Sequence, residues 1–200
     1  MAKESALWLV LVMGTGVANG EETRTFETIH LVWLDPHGLF YDFERARDEA
    51  DTIFRDLGVS VRWEVGTDPR PSTGGEVRVQ AVLMLSEPSG WGIAPTAMGV
   101  VLLPDRSRPE SVFLFYPAIL RSVGLAHRKG SMLSPSERKD LARAVGRVLV
   151  HEIVHAIAPT LTHADEGLMH DALLSASLLK SRIEIDERTR RAFRKAAETE

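Results

Sequence analysis

A chain of 200 residues, 44% of them hydrophobic and with a formal net charge of -4, fits one ordinary folded domain with a sizeable core. The mildly acidic balance and the lack of any basic run argue against nucleic acid as a partner. There is no cysteine, which excludes disulfides, thiolate metal sites and cysteine nucleophiles, so any metal must rest on His, Asp or Glu.

The chain opens MAKESALWLVLVMGTGVANGEE: a lysine, an apolar run from Ala6 to about Val17, then small residues before a charged pair. This is the shape of a secretory signal peptide, expected over residues 1–20 with cleavage after Ala18 or Gly20. The apolar run is short of the roughly 20 residues that a spanning helix needs, so no stable membrane insertion is expected. Residues 21–200 are then expected to form a single exported domain, secreted to the extracellular space or periplasm.

FETIHLVWL (26–34) reads as a first strand, ended by the turn cluster Asp35-Pro36-His37-Gly38. From Tyr41 to Leu57, Phe43, Ala46, Ala50, Ile53, Phe54 and Leu57 recur at three and four, which predicts a helix with one face on a sheet; Gly58 stops it. VSVRWEV (59–65) alternates as a second strand, 67–75 is a loop, and Val77 to Leu85 makes a third strand. Strand, helix, strand in this order implies a crossover onto one sheet. Two apolar runs follow: Met98 to Leu103, and Val112 to Tyr116, the latter continuous enough for a strand buried on both faces.

Ser134-Pro135-Ser136-Glu137 carries three helix-start signals at once: a serine cap, a proline at the first position and a glutamate three residues past the cap. Leu141, Val145, Val148 and Leu149 continue the apolar stripe into His151, and Pro159 ends the helix at about Ala158. Beyond it, Leu173 to Ile185 is apolar enough to pack below a cleft, and Asp186 can cap a last, arginine-rich helix over 187–197.

The chemistry concentrates in HEIVHAIAPTLTHADEGLMH (151–170), which holds four of the seven histidines. Residues four apart on a helix face the same way, so His151 and His155 can offer two imidazole nitrogens to one ion. Glu152, one position on, lies beside that ion and can take a proton from a metal-bound water without being a ligand. At this chain's composition His-Glu-x-x-His arises by chance roughly 0.02 times, so the pattern is informative. A catalytic zinc needs a third protein ligand. His163 is expected to supply it once the chain turns back after Pro159; Asp165, Glu166 and His170 are the alternatives. His30, His37 and His127 lack ligand spacing and are read as structural.

These residues resemble a metzincin-type zinc metalloprotease. The likeness is carried by His151-Glu152-x-x-His155 on a helix, a third histidine soon after, and Gly167-Leu168-Met169, similar to the turn whose methionine lies beneath the metal in that family. The order of elements before the motif is also similar. The sequence departs from the usual pattern at Ala158 and Leu161, where the family has glycine and its third ligand, so that His163 comes two residues late. The resemblance implies an α/β (α+β) zincin fold: a twisted mixed sheet of about five strands, a backing helix and an active-site helix in an upper subdomain (about 21–158), and a small helical lower subdomain (about 159–200). It implies Zn2+ as cofactor, Met169 as the turn methionine, and a peptide or protein substrate lying along an edge strand at Gly99, Val100 and Val101. Trp91 and Gly92 stand near enough in sequence to shape a pocket. With no cysteine for a thiol latency switch, control by a protein inhibitor or regulator is expected if the enzyme is controlled at all. The competing expectation is a non-catalytic module that holds zinc for stability; Glu152 argues against it, since a purely structural site has no use for a base beside the metal.

Overall fold

The computed structural model describes residues 28–66, 77–86, 90–102, 110–128, 132–171, 173 and 175–198. The expected signal peptide, the start of the first strand at Phe26 and the whole 67–75 loop lie outside the described residues.

Five strands form one mixed sheet: β1 (Thr28–Leu34), β2 (Ser60–Val65), β3 (Val77–Met84), β4 (Gly99–Leu102) and β5 (Glu110–Phe115), in the spatial order β2-β1-β3-β5-β4. β1 is parallel to β2 and β3, β3 is parallel to β5, and β4 alone runs antiparallel, at the edge. The parallel β1-β2 pair needs a crossover, and α1 (Phe43–Leu57) supplies it. Its buried face is Ala46, Ala50, Ile53, Phe54 and Leu57, the stripe expected from the spacing. Gly58 ends it in the left-handed conformation, φ 89°, with its N–H donated to the Arg55 and Phe54 carbonyls. Asp35 ties down the turn before it, accepting from the Leu39 and Phe40 N–H groups at 2.9 Å each.

The run 112–116 differs from expectation at its end. Tyr116 is not the last strand residue but the first of α2 (Tyr116–Ser122), with Pro117 in the opening turn. The proline fixes a helical φ and removes an N–H that a strand would have needed, so it turns the chain at that point. Leu85 likewise falls outside β3 and is exposed.

The longest element is α3 (Pro135–Ile157). Its capping box is complete: Glu137 N–H donates to Ser134 Oγ at 3.3 Å, and Ser134 N–H donates back to Glu137 Oε2 at 2.7 Å. From Ala144 to Val154 every residue is buried, because the helix is covered on one side by the sheet at β4 and β5 and on others by α1 and the C-terminal segment. Gly146 lets α1 come close: a Cβ there would stand 2.6 Å from the Ala46 carbonyl oxygen. After α3 come the short α4 (Ser175–Leu179) and α5 (Glu187–Glu198), the latter capped by Asp186, whose carboxylate accepts from Thr189 N–H at 2.8 Å. Leu173, Leu178, Ile183 and Phe193 bury themselves in the same core as the sheet and α3.

Candidate metal centre

His151 and Glu152 are buried within the last turns of α3, and His155 is half-buried one turn on. Ala158 closes the helix, its N–H still bonded to the Val154 carbonyl, and Leu161 N–H donates to the Ala158 carbonyl at 2.9 Å, so the chain doubles back at once. That reversal carries His163 to the face of α3 that bears the other two rings. Ligand atoms of His151, His155 and His163 all lie within 4.8 Å of one another, and this is the group able to hold a metal among the described residues. The Nε2 atoms of His155 and His163 are 3.0 Å apart. That is the distance of a hydrogen bond between the two rings, and it also lies close to the roughly 3.3 Å that separates two nitrogens bound to one zinc in a tetrahedron.

The remaining expectations sort around this cluster. Asp165 and Glu166 are exposed and take no part in it. His170 is half-buried, with Nδ1 3.2 Å from the Asp171 carboxylate. His30 belongs to a cross-strand group on the sheet, 3.0 Å from Glu64 and 3.3 Å from an Arg62 nitrogen, while His37 and His127 are exposed.

The Gly167-Leu168-Met169 turn touches the cluster through its backbone. His151 Nδ1–H donates to the Leu168 carbonyl at 2.8 Å, which fixes the tautomer and leaves Nε2 with its lone pair toward the other rings. No side chain announces that partner, so residue types alone could not reveal it. The turn itself is held by Ala164 N–H donating to the Met169 carbonyl at 2.7 Å and Leu168 N–H to the Glu184 carbonyl at 2.8 Å. Gly167 has φ +80°, and a Cβ on it would meet the Glu184 oxygen at 2.6 Å. Met169 is fully buried in the core beside Leu168.

Burial sets the protonation of the group. Desolvation lowers His151 to about 4 and His155 to about 3, and it lowers His163 as well. At neutral pH all three imidazoles are therefore neutral donors, the form a metal requires. The same desolvation pushes the Glu152 carboxyl up to about 8. Glu152 makes no hydrogen bond or ion pair among the described residues; its side chain rests against β4 at Gly99. A cluster of three neutral imidazoles fits Zn2+ in both donor type and number.

β4 forms an edge of the sheet, as the expected substrate strand requires. Its register pairs Gly99 with Leu114 and Val101 with Val112, which turns those two toward α3, and Val100 with Phe113, which turns it to the far face. Trp91 goes with the far face too: its ring meets Phe113 edge-on at 5.3 Å. It is thus turned away from the histidine cluster.

No family model matches the sequence, and no curated protein matches it either. The crystal structure of Archaemetzincin (amzA) from Methanopyrus kandleri is similar in three dimensions, with a TM-score of 0.53 over 86% of this chain and 96% of that chain at 14% identity. The fold resembles that of Archaemetzincin. At that identity the likeness concerns the path of the backbone, so the chemistry of this chain rests on its own residues.

Proposed function

We propose that this chain is a zinc-dependent endopeptidase that hydrolyses peptide bonds in extended substrates. The observation that carries the reading is the convergence of three neutral imidazoles beside a buried carboxyl group that has no cationic partner among the described residues. His151, His155 and His163 would hold the ion, with the Leu168 carbonyl orienting the first of them. A bound Zn2+ would supply Lewis acidity toward a carbonyl oxygen and toward water. Glu152 accepts the proton given up by the attacking water and hands it to the departing amine. Burial alone raises Glu152 to about 8, and the positive charge of a bound Zn2+ beside it would favour the ionised carboxylate, the form that accepts a proton. Gly99, Val100 and Val101 on the edge of the sheet offer backbone groups to an extended peptide. The proposal includes export, supported by the shape of residues 1–20.

The test compares the zinc-loaded protein with its Glu152→Gln variant on fluorescently labelled, unfolded casein. Equal zinc content with cleavage reduced at least about 10³-fold is expected. Equal cleavage by the two proteins would remove Glu152 from the reaction, and zinc binding without cleavage by either would favour a module that uses the metal for stability alone.

A further inference from the structure

Gly99 is the first residue of β4 and is buried. Its φ is not in the left-handed region, so the backbone there would accept any L-residue. Glycine weakens a strand, because it loses more backbone freedom on folding and has no side chain to pack. What glycine supplies at this point is space. A Cβ at Gly99 would stand 2.7 Å from both Cγ and Oε1 of Glu152 and 2.8 Å from Cδ. All three of the nearest atoms belong to that one side chain. The register explains why: Gly99 pairs with Leu114, whose side chain faces α3, so the missing side chain would have pointed at the Glu152 turn of that helix.

We propose that Gly99 is a positioning residue for Glu152: the bare backbone of the edge strand forms the wall that sets where the buried carboxylate stands relative to the three histidines. Glu152 has no hydrogen-bonding partner among the described residues to hold it, so the steric wall takes that part. Packing confines a buried side chain, since interiors leave few voids for it to move into. The proposal rests on the endopeptidase reading for its catalytic consequence, but the steric claim stands apart from it.

The test is a double-mutant cycle on the full chain with Gly99→Ala and Glu152→Ala, read first by thermal unfolding of the zinc-loaded proteins. Glu152→Ala removes all three atoms that the new methyl would meet. Gly99→Ala is therefore expected to lower the melting temperature by roughly 3–8 °C when Glu152 is present and to leave it unchanged or raised when Glu152 is absent. An equal loss in both backgrounds would overturn the proposal, because the methyl would then clash with something else. If Gly99→Ala alone does not fold while the double variant does, the proposal is upheld. The second readout is cleavage of labelled casein together with zinc affinity. Gly99→Ala is expected to keep zinc affinity within about twofold and KM within about threefold, and to lower kcat about 10²-fold. Unchanged kcat would overturn the positioning role. If the wild type cleaves nothing, the endopeptidase reading fails, and the thermal cycle still decides the steric claim.

Discussion

At the scale of single residues, burial opposes itself at the metal centre when no metal is present. His151, buried, and His155, half-buried, bind protons less readily folded than unfolded, with pKa values of about 4 and 3 against 6.5. Glu152 binds its proton more readily folded than unfolded, at about 8 against 4.5. From pH 8 down to 6.5 the folded form alone takes up a proton, on Glu152, so stability rises as pH falls. From 6.5 down to 4.5 the unfolded form gains the two imidazole protons against the single one kept by folded Glu152, so stability falls with pH, by about 1.4 kcal/mol per unit for the net proton. Below 4.5 the glutamate is protonated in both states and the loss steepens. His163, lowered in the same direction, adds to the acid side. Urea denaturation of the zinc-free protein across this range is expected to show a maximum near pH 6.5, and Glu152→Gln is expected to abolish the decline above it.

Whole elements bring these residues together, and two of them do so by exact local chemistry. The serine cap and its reciprocal glutamate start α3 at a defined residue, and that start sets the rotation at which His151 and His155 emerge 16 and 20 positions later. The Gly167 turn then brings the Leu168 carbonyl to His151. Gly167→Ala combines a left-handed backbone with a methyl 2.6 Å from the Glu184 oxygen. It is expected to cost about 2 kcal/mol in urea denaturation. Zinc affinity is expected to fall roughly tenfold in competition with a chelating dye, because the carbonyl that orients His151 moves with the turn.

At the scale of the whole molecule, a buried arginine joins the C-terminal segment to the rest. Arg147, fully buried on α3 one turn before His151, donates from Nε to Glu49 of α1 at 2.7 Å and from Nη1 to the Ser177 and Leu178 carbonyls at 2.7 and 3.2 Å. One guanidinium thus holds α1, α3 and α4 together. Arg147→Met is expected to cost about 3 kcal/mol, since it removes the ion pair to Glu49 and the donor to the Ser177 and Leu178 carbonyls. Hydrogen exchange is expected to quicken first in α4 and the segment after it rather than in the sheet.

Local pattern was enough to read much of this molecule. Periodicity marked α1, the capping signals marked α3, alternation marked β2, apolar runs bounded by turns marked the other strands, and i,i+4 spacing put His151 and His155 on one face, because each of these depends on neighbours within a few residues. Pro117 was an equally local sign of α2, hidden by the apolar run that leads into it. His163 is expected from its spacing to return to the pair, whereas the Leu168 carbonyl on His151, the turn of Trp91 away from the cluster and the contact of Gly99 with Glu152 depend on where separate segments come to rest. Only packing decides such distances, since a backbone carbonyl and an absent side chain leave no mark in residue type to say what they will face.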